Sequence, residues 1–326
     1  MKAVVHAEYG GPEVLRWAEV PTPTIGAKDV LVAVRASSAN PADIAFMTGR
    51  PALVRVTSGL RRPRAQVLGR DLAGVVEAIG SDVTGLRVGD EVYGEASQAF
   101  AQYASVRPNQ VARKPANLTF EQAATVPLAG LTAWQAWDRA GLQPGQRVLV
   151  NGASGGVGHF AVQIARALGA RVTAVCSGGN AEMVQALGAE HVIDYRESDY
   201  TTLGQRYDVI FDAVVTHSLA DTRRALAPSG VYLSVGTSPA TGPGAGGPLG
   251  PLPTIAGVLV RSVTSRPQRL VVVSAKPNLG LDELTALVEA GSVTPFIEQS
   301  FALERAAEAL RLVATHHARG KVAITV

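Results

Sequence analysis

The sequence predicts an α/β protein, a doubly wound parallel sheet of six strands joined to a second, β-rich domain. Three observations carry the prediction. The first is the stretch Pro144–Arg166, PGQRVLVNGASGGVGHFAVQIAR, where an apolar run at Arg147–Val150 breaks into glycines and resumes as a helical pattern. Val157, Ala161, Ile164, Ala165 and Leu168 mark one buried face of that helix. The second is the set of apolar segments that follow, Arg171–Cys176, His191–Asp194, Tyr207–Ala213, Gly230–Val235 and Arg269–Ser274, alternating with helical patterns such as Asn180–Leu187. Strands alternating with helices build a parallel sheet. The third is the N-terminal part, where short strands follow one another without long helices between them.

Taken in order, Met1–Ala7 and Val14–Val20 read as strands of an antiparallel, partly exposed sheet. Pro21, Pro23 and Gly26 mark a turn before the strong strand Asp29–Ala36, and Ser37–Asp43 is a polar turn into a short helical piece. Val67–Gly80 and Gly85–Val92 are strand-and-turn segments, and Ala99–Val106 is another strand. Glu121–Ala140 reads as helix, interrupted by Pro127 and Gly130. Beyond the sixth strand of the parallel sheet, Leu281–Ala290 is helical. Phe296–Phe301, Leu303–Ala314 and Lys321–Val326 then read as strand, helix and strand. That closing segment is expected to return to the first domain, giving domains of 1–123 with 277–326, and 124–276. Thr237–Pro253, rich in Gly and Pro, reads as a loop.

The chain has 326 residues, of which 47% are hydrophobic and 17% charged, enough for two domains with sizeable cores. Charges at Lys2, Glu8, Glu13 and Arg16 argue against a signal peptide or membrane span at the start. The lone cysteine, Cys176, excludes intrachain disulfides and Cys-rich zinc sites, and fits a reducing cytoplasm. The net charge is +3, with much of the excess in Arg50, Arg55, Arg61, Arg62, Arg64 and Arg70. Such a loop reads either as a solvated face or as a grip for an anionic substrate. It lacks the interleaved aromatics of single-strand nucleic-acid binders, so no nucleic-acid partner is expected.

The glycine turn carries the chemistry. Strand, glycine turn and helix in that order open a βαβ nucleotide-binding unit. Glycines let the backbone approach a pyrophosphate, whose charge rests on the N–H groups at the helix start. A structural turn without a ligand is the alternative. Ser154, Gly155, Gly156, Val157 and Gly158 are the candidate contacts. An NAD-preferring site places an acid near the end of the second strand to bond the ribose 2′-hydroxyl. Here that position reads Cys176-Ser177-Gly178-Gly179-Asn180, without a carboxylate. A 2′-phosphate is tolerated there, with Ser177 and Asn180 as donors, which points to NADPH. Cys176 reads equally as a small buried residue.

Over essentially its whole length the chain resembles the zinc-independent quinone oxidoreductases of the medium-chain dehydrogenase/reductase superfamily. Gly145, Gln146, Leu149, Ala153-Ser154-Gly155-Gly156, Gly158, Gln163 and Arg166 stand at the family's spacing. LGRDLAGVVEAIG, GLRVGDEVYG and the closing ARGKVAITV are similar to its other hallmark stretches. The resemblance implies a Rossmann domain, a GroES-like substrate domain and a homodimer joined through the edge around the sixth strand. Where zinc alcohol dehydrogenases of the superfamily carry a cysteine and a histidine ligand, this chain has Asn40 and Arg70. The third ligand falls around Leu128 and Ala129. No catalytic metal is therefore expected.

The resemblance also places Asn40 and Thr132 near the nicotinamide and substrate. It gives Tyr195, Val215, Val235, Gly236, Ser274 and His317 as cofactor contacts. Tyr195 reads equally as strand-end packing and His317 as part of a solvated helix end. Tyr93 is a candidate proton donor, or a core tyrosine, and Asp43 reads as a helix cap. Substrate walls are expected from Phe46–Arg64. Without a Lewis acid, hydride transfer to a quinone or an activated C=C bond is easier than alcohol oxidation. An enone leaves an enolate that hydrogen-bond donors stabilise. The expected activity is thus an NADPH-dependent quinone or enone reductase acting on a small molecule. A reductase for a larger biosynthetic intermediate, gripped by Arg55, Arg61, Arg62 and Arg64, is one alternative. A non-catalytic, crystallin-like or RNA-contacting role is the other.

Overall fold

The computed structural model describes residues 1–235 and 267–326. They divide into two compact units, Met1–Leu131 with Pro277–Glu289 and Pro295–Val326, and Thr132–Lys276 with Ala290–Thr294. The strands of the first unit are β1 (Lys2–Val5), β2 (Arg16–Glu19), β3 (Val30–Ala39), β4 (Asp71–Ile79), β5 (Glu91–Glu95), β6 (Tyr103–Val106) and β7 (Ala112–Arg113). The second unit holds β8 (Arg147–Asn151), β9 (Arg171–Cys176), β10 (His191–Asp194), β11 (Tyr207–Asp212), β12 (Leu226–Ser234) and β13 (Arg269–Val272). β14 (Ile297–Ala302) and β15 (Lys321–Thr325) belong to the first unit again. The helices are α1 (Pro41–Thr48), α2 (Val54–Ser58), α3 (Phe120–Ala124), α4 (Pro127–Ala140), α5 (Gly158–Ala167), α6 (Ala181–Ala186), α7 (Leu219–Arg224), α8 (Leu281–Glu289) and α9 (Ala306–Ala314).

In the second unit the strand order is β10-β9-β8-β11-β12-β13, all parallel. The order reverses between β8 and β11, and in such sheets ligands bind outside the carboxyl ends of the strands at that switch point. β8 and β9 are buried along their length except at their first residues, as strands covered on both faces must be. Leu149 sits between Thr173 and Ile210 and joins Val175, Tyr207, Leu226, Tyr232 and Leu270 in one core. Trp137 of α4 packs its ring 5.1 Å from Phe211 and donates its indole N–H to the Ala161 carbonyl at 3.1 Å. β12 is longer than the Gly230–Val235 run suggests. Leu226 already pairs with Tyr207, and a register shift absorbs the Pro228-Ser229-Gly230 kink.

In the first unit a seven-stranded sheet runs β14-β15-β3-β4-β5-β7, with β6 paired to β3. β15 lies antiparallel to β3, Val322 opposite Ala39 and Thr325 opposite Ala36, so the end of the chain is hydrogen-bonded into the middle of this sheet. Val30, Val32, Val34, Leu72, Val76 and Val92 form one core. Met47, Leu68, Phe100, Phe301, Leu310 and Ile324 form another, under α9.

The helical stretch before the glycine turn is two helices. Thr119 caps α3 in a capping box with Gln122, and Pro127 opens α4, where its missing N–H costs nothing. Gly130 does not break α4. A side chain there would meet Leu284 of α8 at 2.8 Å, so the glycine is the groove in which α8 lies. Residues 124–131 group with the β-rich unit and residues 290–294 with the other, so the division falls inside α4.

Candidate active site

At the switch point β8 ends at Asn151 and the chain turns through Gly152, whose φ of +82° suits only glycine without strain. The turn doubles back so closely that a Cβ on Gly158 would lie 2.0 Å from the Gly152 carbonyl oxygen. Between them Ser154, Gly155, Gly156 and Val157 are half-buried, and Gly158 opens α5. Three candidate residues are brought together here. Asn180 donates from Nδ2 to Oγ of Ser154 and to Oγ of Ser177, both at 3.1 Å, tying the glycine turn to the end of β9. Cys176 is buried beside them, and burial pushes its thiol up to about 11, so it is packing rather than a nucleophile.

The ends of β8, β11 and β12 are held by a residue that sequence reasoning missed, Asp212. Fully buried, it accepts from Asn151 Nδ2 at 2.9 Å, the Val214 and Val215 amides at 3.1 and 2.8 Å, and the Tyr232 hydroxyl at 2.9 Å. Its carbonyl accepts from the Val235 amide at 2.9 Å. Val215 is thereby held at φ +56°, a conformation costly for a β-branched residue and one that clusters at ligand sites. Val215 and Val235 are thus both held by Asp212, one through its carboxylate and the other through its backbone carbonyl. Ser274 is exposed, its carbonyl accepting from Arg139 at 2.7 Å. Tyr195 is 53% exposed beneath the Arg196 guanidinium, 5.8 Å from its ring centre. Gly236 and the Thr237–Pro253 loop lie outside the described residues.

In the β-rich unit Asn40 belongs to a buried polar cluster. Asp71, with no exposure, accepts from Ser38 Oγ at 2.6 Å, Asn40 Nδ2 at 2.9 Å and the Leu128 amide at 2.9 Å. Lys321 lies 3.8 Å from the Asp71 carboxylate and donates to Asn40 Oδ1. Burial lowers the pKa of this lysine, against the attraction of Asp71 and Asp43. Asp43 caps α1 by accepting from the Asn40 amide at 2.9 Å through Oδ2, as its place in the sequence suggests. Its other oxygen has no hydrogen-bond partner among the described residues. Burial, seconded by the charge of Asp71, raises its carboxyl to about 7. Arg70 is paired with Glu95 at 2.5 Å and stacks over Phe46 at 5.2 Å.

Tyr93 is fully buried and its hydroxyl meets Thr285 Oγ1 of α8 at 2.7 Å, with the phenol pushed up to about 12 by burial. That geometry makes it a strut between β5 and α8. Thr132 is half-buried on α4, in the other unit. His317 is exposed just past α9, its amide donating to Thr315. Arg55 is engaged locally, donating to the Gly49 carbonyl and stacking on Tyr9 at 4.6 Å. Arg61 and Arg62 are exposed, and Arg64 lines a cavity beside Asp43. Asp71, Lys321 and Asp212 carried a sequence signal only as acids and a lysine inside apolar strands, where a charge needs a partner.

Two consequences are measurable. Gly158→Ala forces the Gly152–Gly158 turn open, so NADPH affinity, read by cofactor fluorescence, falls at least about tenfold and the thermal unfolding temperature falls with it. For Asp43, the folded carboxyl titrates near 7 and the unfolded one near 3.8, so its favourable contribution is present below the lower value and is lost as pH rises through the upper one. Between about pH 5 and pH 8 the melting temperature of the wild-type chain therefore falls relative to that of Asp43→Asn. A constant gap would contradict this assignment.

Comparison with known proteins agrees with the geometry. Residues 26–133 match the alcohol dehydrogenase GroES-like domain and residues 187–324 the zinc-binding dehydrogenase family. A 2-methylene-furan-3-one reductase of Solanum lycopersicum is 32% identical over 339 residues, covering 99% of this chain and 79% of that protein. An NADPH-dependent alkenal/one oxidoreductase of the Arabidopsis thaliana chloroplast is 32% identical with the same coverage. The quinone oxidoreductase of Coxiella burnetii superposes with a TM-score of 0.85 at 30% identity, over 100% of this chain and 99% of that one. The zinc in one family description finds no donors at the corresponding positions. Arg70 is a guanidinium held by Glu95, Leu128 and Ala129 are hydrocarbon, and the Asn40 amide is engaged by Lys321 and Asp71. Among the described residues no three His, Cys, Asp or Glu side chains gather as metal ligands do. The chain belongs to the zinc-independent quinone oxidoreductase family of the medium-chain dehydrogenase/reductase superfamily.

Proposed function

We propose that this chain is a metal-free, NADPH-dependent reductase that transfers hydride to a small quinone or to an activated C=C bond. The observation that carries the reading is the end of β9, where Ser177 and Asn180, half-buried and hydrogen-bonded to the glycine turn, stand in place of the acid that an NAD site uses. Relatives named for NADPH-dependent alkenal/one and furanone reduction support it. Bound NADPH supplies the hydride. The chain's part is to hold and orient. The amides at the start of α5 would receive the pyrophosphate, and the Ser177 and Asn180 side chains would bond the 2′-phosphate. Val215 and Val235, fixed by Asp212, present backbone at the switch point. An electrophilic acceptor held in a near-attack position needs no Lewis acid.

A homodimer fits the same reading, since β13 ends the parallel sheet among the described residues and offers a free edge. A cytoplasmic setting fits the single, buried cysteine.

NADPH oxidation with 1,4-benzoquinone, 9,10-phenanthrenequinone and 2-cyclohexenone tests the activity. Turnover is expected with NADPH and unchanged by EDTA. Ser177→Asp places a carboxylate against the 2′-phosphate, and the NADPH-over-NADH ratio of kcat/KM is expected to fall by about tenfold or more, one misplaced charge being worth at least 1.4 kcal/mol. An unaltered ratio would show that β9 does not read the phosphate.

A further inference from the structure

The β-rich unit contains a cavity of about 180 Å³. Phe46, Val67 and Leu68 give it apolar walls, Arg64, Arg70 and Gln98 polar ones, and Asp43 is part of its lining. Among the described residues, every one that lines it comes from this one unit. We propose that the cavity receives the carbonyl group of the acceptor and that Asp43 donates the proton that the reduction consumes. The proposal rests on the reductase reading above.

Three features of the site carry it. Asp43 is 1% exposed, and its Oδ2 is fixed by the Asn40 amide while Oδ1 has no hydrogen-bond partner among the described residues. A buried carboxyl oxygen left without a partner is costly unless a ligand meets it. Second, the flat Phe46 ring stacked against the Arg70 guanidinium makes a wall suited to a planar conjugated ring. Third, the charges around Asp43 are already committed. Arg70 is paired with Glu95, and Lys321 with Asp71 and Asn40. His6, also in the wall, is kept neutral by burial, which lowers its pKa, and Arg64 lies at an exposed position. Asp43 is thus the cavity's neutral acid, protonated up to about pH 7 by burial and by the charge of Asp71, against the pull of Arg70 and Lys321.

The step balances. Hydride from the dihydronicotinamide forms the C–H bond at the β-carbon, and the C=C pair moves onto the carbonyl oxygen as an enolate. The Asp43 O–H bond breaks, its proton passes to that oxygen, and the enol relaxes to the saturated ketone. A quinone reduced by the same hydride leaves a hydroquinone monoanion that takes the same proton. Water entering the cavity returns the proton to the carboxylate.

Asp43→Asn keeps the cap and the size of the side chain but carries no acidic proton. With 2-cyclohexenone and saturating NADPH, kcat is expected to fall about 10²–10⁴-fold, the usual worth of a positioned general acid, with KM for NADPH unchanged. The decline of wild-type kcat above about pH 7 is expected to vanish in the variant. A variant that retains both rate and alkaline decline would overturn the proposal. A second measurement needs neither variant nor turnover. Infrared difference spectra of the wild-type chain, recorded without cofactor, should show a protonated carboxyl band near pH 6 that is lost near pH 8. Adding the unreactive ketone cyclohexanone should shift that band. A band indifferent to cyclohexanone would sink the assignment. If cyclohexanone shifts the band yet no acceptor oxidises NADPH, the reductase reading fails while the cavity keeps its ligand.

Discussion

The β-rich unit depends on how one charge, Asp71, is accommodated without water. A carboxylate with no solvent exposure is tolerable only when both oxygens are met by donors and a counter-charge is near. Asp71 draws those donors from separate parts of the chain: Ser38 at the end of β3, Asn40 at the cap of α1, the Leu128 amide at the start of α4 and Lys321 at the start of β15. Each of these segments is thereby placed to within hydrogen-bond tolerance. The C-terminal strand is fixed to the same point, because β15 brings Lys321 with it when it pairs with β3. Removing either partner would strand a buried charge, a far larger disturbance than the pair's net contribution.

The second unit uses the same device in neutral surroundings. Asp212, at the carboxyl end of β11, collects Asn151 from β8, Tyr232 from β12 and two amides of its own turn. The turn beyond a parallel strand leaves amides without ladder partners, and the Asp212 carboxylate satisfies two of them, Val214 and Val215. The left-handed Val215 goes with this arrangement, a strained residue whose amide is held by the Asp212 carboxylate.

Burial rather than a specific base sets the acid–base character of the protein. Tyr93 is raised to about 12 and Cys176 to about 11 because their charged forms cannot be solvated, and each is packed where it stays neutral. Asp43 is raised by the same effect into the working range of an enzyme, because a carboxyl starts from a lower value. A reductase has use for such a group, since its product needs a proton and its hydride donor supplies none.

The sequence by itself determined the parallel sheet, the glycine turn, the absence of an acid at the end of β9 and the replacement of metal donors at positions 40 and 70. All four are local: a period of two or 3.6 residues, a run of glycines, or the identity of one side chain. It was also enough for the return of the C-terminal strand, which the fold places against β3. Only the tertiary structure decided the company that side chains keep. Lys321 reads only as a lysine at the start of an apolar strand, and it is β15 that carries it to Asp71, 250 residues away in the chain. Tyr93 is turned toward Thr285 by a helix from the far end of the chain. Asp43 reads as a cap and is one, yet it also lines a cavity whose described walls come from residues 6 to 98. Hydrogen bonds and burial across such separations depend on how strands pair and helices pack, and no pattern within a single segment encodes them.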